Sequence, residues 1–169
     1  MTITMYQASA PRFAHTLKSL AAVLGKAHAH CEARKIDPLV LTSARLYPDM
    51  FPLSRQVQIA CDTAKGAVAR LAGVEIPKHE DTEKTFAELQ ARIQKTLDFI
   101  ATVKPAQVDG SEGKDIVLKL RGNDVPFKGM AYLLGFAYPN FYFHAATAYG
   151  ILRHNGVEIG KSDFLGAGP

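Results

Sequence analysis

Tryptophan is absent from this 169-residue chain, and cysteine occurs only at Cys31 and Cys61. With no CxxC pair and both cysteines set in apolar helical stretches, a disulfide framework is excluded and two buried, reduced thiols are expected. Cys61 has no cation beside it in sequence, so nothing favours its thiolate and a cysteine nucleophile is not expected. Nowhere do about 18 apolar residues run together, and Met1 to Ser9 lack the basic and apolar segments of a leader. A cytoplasmic protein without membrane contact is therefore expected. Charge of one sign is nowhere gathered: 20 Lys and Arg are scattered among 16 Asp and Glu, so the net charge of +4 describes a mildly basic surface and no nucleic-acid partner is expected. GxGxxG, Walker, HExxH, GxSxG and kinase signatures are missing, which removes dinucleotide enzymes, NTPases, zincins, α/β-hydrolases and kinases.

What is present is a globular composition, 47% apolar and 21% charged, in a length that suits one domain over residues 1–169. Phe13, Leu17, Leu20, Leu24, Ala27 and Cys31 recur at steps of four and three, the stripe of a helix with one face turned inward. Pro11 fits only its first turn, so this helix starts near Ser9 or Ala10; His28 and His30 fall near its end as surface residues. Residues 33–51, with Asp37, Pro38 and Pro48, form a connection holding a short helical turn. Asp49 is placed to cap a second helix with Pro52 in its first turn, Leu53, Val57, Ala60, Ala64, Ala67 and Leu71 facing inward, and Gly73 closing it. The capping box Thr85-x-x-Glu88 opens a third helix carrying Phe86, Leu89, Ile93, Leu97 and Ile100, with Glu88 and Arg92 spaced to pair on its outer face. Residues 116–120 and 125–127 flank a polar turn at 121–124 and predict a β-hairpin. A fourth, aromatic helix runs from Gly129 or Met130 to His154 and stops at Gly156. The fold class is all-α: a four-helix bundle with a small β-hairpin between its third and fourth helices.

Candidate chemistry concentrates in residues 138–144. Pro139 lacks an N–H and crowds the Gly135 carbonyl, so a kink is expected there. Asn140 and His144 lie one turn apart on one face, the spacing at which two side chains converge on a metal or ligand, and equally the spacing of two core polar groups that satisfy each other and the freed carbonyl. If the second and fourth helices are neighbours, Asp49, Arg55, Gln56, Asn140, Tyr142 and His144 gather near one end of the bundle as an acid, a cation and a general base. Each also has a plain role, with Asp49 a cap, Arg55 a surface ion-pair partner and Tyr142 a packed aromatic. His15 reads as a boundary residue, His79 with Glu80 and Asp81 as a solvated charge cluster, and His154 as a last-turn cation.

The segments Asp49-Met50-Phe51-Pro52-Leu53, Gln56-Val57-Gln58-Ile59-Ala60-Cys61-Asp62, Phe141-Tyr142-Phe143-His144, Ile151-Leu152-Arg153-His154-Asn155-Gly156 and residues 159–166 resemble a bacterial family of unknown function within the DinB-like, or YfiT-like, superfamily. The resemblance implies a four-helix bundle that often dimerises through helix faces. It also implies a divalent metal, zinc or nickel, held by one histidine of the second helix and two, spaced by four, of the last; some members are thiol-dependent transferases or isomerases. The matching positions here are Gln56, Asn140 and His144, of which one is histidine, and neutral amides are poor donors to zinc or nickel. A one-turn slip along the second helix offers Asp49 or Asp62 instead. Two readings follow: a bundle binding a small molecule, in the manner of a thiol-dependent transferase, in a pocket near His144; or a non-catalytic homodimer in which His144 and Asn140 are structural. A DNA-damage role suggested by the superfamily's name is opposed by the scattered charge.

Overall fold

The computed structural model describes residues 2–166. Helices α1 (Met5–Ala8), α2 (Ala10–Arg34), α3 (Pro38–Thr42), α4 (Leu53–Ala72), α5 (Phe86–Thr102) and α6 (Pro105–Val108) precede a hairpin of β1 (Asp115–Leu120) and β2 (Asn123–Lys128). Then come α7 (Gly129–Tyr132), a π-helical turn at Leu133–Ala137, α8 (Tyr138–His154) and α9 (Lys161–Leu165). The four long helices form the bundle. α4 packs against α8 and α5, and α2 closes the ring against α5 and α8. All six stripe residues of α2 and all six of α4 are buried, each large aliphatic or aromatic side chain contributing about 2 kcal/mol on transfer from water.

Local signals explain most boundaries. Thr85 Oγ1 accepts the Glu88 N–H at 3.2 Å while Glu88 Oε2 accepts the Thr85 N–H at 2.9 Å, the reciprocal cap that starts α5. Gly73 ends α4 in the left-handed region, φ 72°. Asp37 caps α3 through the Leu39 N–H at 2.9 Å. Asp49, by contrast, caps nothing. The N-cap of α4 is Pro52, whose extended backbone (ψ 166°) makes no side-chain cap bond, and the proline forces Phe51 out of helical conformation, so the exposed Asp49 carboxylate stands too far upstream.

The expected kink takes the form of the π turn: Pro139 offers no N–H to the Gly135 carbonyl, and the preceding turn widens to the i to i+5 pattern. The hairpin is tighter than predicted. Leu120 pairs with Asn123, leaving only Arg121 and Gly122 in the turn, both at positive φ (50° and 85°), the two-residue type that matches strand twist. At its exit a Cβ on Gly129 would collide with the Ser111 carbonyl oxygen, so only glycine fits. Helix α9, assigned no element from sequence, docks on α2 through Lys26 Nζ to Asp163 at 2.6 Å and His15 Nε2 to the Leu165 carbonyl at 2.7 Å. His15 thus belongs to that junction.

Candidate functional site on the α4–α8 seam

Where α4 faces α8, two polar rungs cross an otherwise apolar interface. Gln56 and His144 are 1% and 8% exposed, and His144 Nδ1 lies 2.6 Å from Gln56 Oε1. Because Gln56 Nε2 donates to the Phe51 carbonyl at 3.0 Å, its oxygen is the end turned to the ring, and the Nδ1–H donates to it. That tautomer leaves the Nε2 lone pair open. Burial holds the His144 pKa below the ordinary value of 6.5, and the positive Arg55 lowers it further. The second rung is Asn140 Nδ2 donating to Thr63 Oγ1 at 2.8 Å. Asn140 and His144 therefore bond across to α4 rather than to each other.

The remaining candidates do not join them. Arg55 turns to the flank towards α5, where it bonds Asp81 and, at 3.2 Å, Gln58 Oε1, and its guanidinium lies 6.0 Å from the Phe51 ring centroid. Tyr142 is 36% exposed and packs its ring 5.6 Å from Tyr138 and 5.2 Å from Phe141, and Asp49 is exposed in the turn before α4. Asp62 faces α5, its Oδ1 held by Lys65 at 2.7 Å and Arg92 at 2.8 Å. The donors along the seam are thus one imidazole nitrogen and two amides, and among the described residues no three His, Cys, Asp or Glu side chains are grouped to hold a metal ion. This set does not fit zinc or nickel.

The flank holds a cluster that periodicity does not reveal. Arg92, expected on the surface beside Glu88, is 2% exposed. Its Nη2 meets Asp62 at 2.8 Å and Asp81 at 2.9 Å, and its Nη1 meets Glu83 at 3.0 Å and the Glu80 carbonyl at 2.9 Å. Glu88 is occupied instead by the N–H groups of Lys84 and Thr85. Gln58 Nε2 donates to Glu83 at 3.0 Å. His79 is not a solvated member of an acidic loop: its Nδ1 is buried without a partner, and burial together with the charges of Lys65 and Arg92 lowers its pKa. The same cations surround Cys61, which has none beside it in sequence, yet burial dominates and pushes its thiol up to about 12.

Residues 5–165 match the family described as Domain of unknown function (DUF1993). The chain belongs to that family. A crystal structure of a DinB family member protein from Shewanella denitrificans is similar to this DUF1993 chain at 45% identity and a TM-score of 0.88, covering 97% of this chain and 93% of that one. No curated protein matches. The DUF1993 chain is DinB-like in both sequence and fold, as its segments around α4 and α8 implied.

Proposed function

We propose that this DUF1993 protein is a non-catalytic helical homodimer in which Gln56, Asn140 and His144 serve to hold α8 on α4. One observation carries this reading: the positions that resemble the superfamily's metal ligands are satisfied by protein partners, His144 by Gln56 at 2.6 Å and Asn140 by Thr63 at 2.8 Å. An apolar, exposed patch beside them supplies the partner surface. Leu46, Tyr47, Phe51 and Phe143 are 42%, 66%, 53% and 57% exposed. A Cβ on Gly150 of α8 would stand 3.8 Å from Leu46 Cδ1, so the connection before α4 lies along this side of α8. Among the described residues no helix is long and apolar enough to cross a membrane, and two buried thiols suit a reducing, cytoplasmic location.

Sedimentation equilibrium tests the dimer: the native chain is expected to be dimeric and Tyr47→Lys/Phe143→Lys monomeric, while a monomeric native chain overturns the assignment. Elemental analysis after incubation with zinc or nickel tests the seam. His144→Ala is expected to cost about 2 kcal/mol of stability, through the stranded Gln56 oxygen and lost packing, without changing metal content. Near-stoichiometric metal that disappears in that variant would sink the structural role.

A second reading, a small-molecule site of the thiol-dependent transferase kind around His144, draws on the Nε2 lone pair left unbonded by the Nδ1–Gln56 contact, the kind of acceptor a thiol proton would need. Titration with N-acetylcysteine, followed by His144 ring resonances, decides it: shifts confined to that ring support the site, and their absence removes it.

A further inference from the structure

A cavity of about 200 Å³ lies between α4, β1 and the π turn, away from the His144 rung, and its walls include Asp62, Thr63, Arg70, Leu120, Tyr132 and Phe136. Arg70 is the decisive residue. Its guanidinium folds back over Gly66, where a Cβ would stand 2.5 Å from Nη1. It donates to the Tyr132 hydroxyl at 3.3 Å and sits 6.0 Å from that ring's centroid. Three features of the fold thus position one cation, and among the described residues no carboxylate lies within ion-pair distance of it.

The other charges at this opening are committed. Asp62 is neutralised by Lys65 and Arg92, and Lys119 pairs with Asp124 at 3.1 Å. Thr63 accepts from Asn140, which leaves its own O–H free to donate. Tyr132 and Phe136 lie nearly parallel, 18° apart with centroids at 6.1 Å; Phe127 of β2 packs against both rings, and Leu118 and Leu120 of β1 line the same opening. The π turn that supplies Phe136 is a costly geometry that recurs beside functional sites. We propose that this cavity binds a small carboxylate carried on a flat apolar body. The carboxylate would take the Arg70 fork and the Thr63 hydroxyl, and the body would lie against Phe136 and Leu120. A volume below the roughly 300 Å³ of drug-sized sites limits the body to about a single ring.

Benzoate and its neutral isostere benzamide are the probes, titrated into the full-length protein by calorimetry with amide NMR shifts locating the contact. Benzoate is expected to bind about tenfold or more tightly than benzamide, since a charge-assisted bond is at stake, with shifts in residues 63–70 and 118–136. Arg70→Gln should weaken benzoate about tenfold. Gly66→Ala keeps the arginine and favours the helix, yet its methyl displaces the guanidinium, so it should weaken benzoate while leaving the fold intact. Equal binding of the two probes, benzoate affinity unchanged in both variants, or no benzoate binding at tens of millimolar would each overturn the assignment.

Discussion

At the scale of single residues, Arg92 carries the heaviest electrostatic duty, with Asp62, Asp81, Glu83 and the Glu80 carbonyl converging on a guanidinium that is 2% exposed. Removing it leaves the largely buried Glu83 with the Gln58 amide alone and takes from Asp62 and Asp81 one of their two cations, Lys65 and Arg55 being the others. Arg92→Met is therefore expected to lower unfolding free energy by about 3 kcal/mol in urea titration, and Arg92→Lys to recover little, because one ammonium cannot replace the planar fork. Sequence spacing set Arg92 four residues from Glu88 and so pointed it outward. Its true partners are Asp62 of α4 and residues 80–83, whose meeting with α5 is a tertiary event that no local period records. Gln56 and His144 were easier, because the stripe of α4 and the aromatic run of α8 marked both helices in the sequence and only the adjacency of the two had to be assumed. Protonation offers a second test. His144 and His79 both have pKa values lowered in the fold, first by burial and then by nearby cations, so the unfolded chain takes up protons that the native one refuses. Their contribution is complete above about pH 6.5 and is lost as pH falls towards the lowered values. Urea midpoints should drop between pH 7.5 and 5.5, and His144→Gln should flatten that slope; an unchanged slope argues against a neutral, buried ring.

Among the elements, the β1–β2 turn holds a local cost that can be relieved. Arg121 sits at φ 50°, a region unfavourable to a residue with a Cβ and better tolerated by asparagine. Arg121→Asn is expected to raise stability by about 0.5 kcal/mol, seen as a higher thermal midpoint. The long helices were legible because their apolar stripes repeat through several turns and their caps are chemically distinctive, as at Thr85, Glu88 and Gly73. The π turn was legible only as a defect at Pro139, since sequence locates the missing N–H but not how the preceding residues accommodate it. Helix α9 was missed for a different reason. Five residues carry no measurable periodicity, and the side chains that hold it, Lys26 and His15, lie on the opposite side of the chain order.

For the whole molecule, association is the property most open to measurement. A dimer that covers the Tyr47 and Phe143 patch makes folding concentration-dependent, so the thermal midpoint should rise over about a hundredfold increase in protein concentration, and a constant midpoint argues for a monomer. The ring of α2, α5, α4 and α8 also seals both thiols of the chain inside, Cys31 at 1% and Cys61 at 0% exposure. The native protein is accordingly a silent background for maleimide chemistry. A single cysteine introduced at Asp49 would be the only thiol to label quickly, and a spin probe there would report, from the distance between two labels, how close the connections preceding α4 lie in paired molecules.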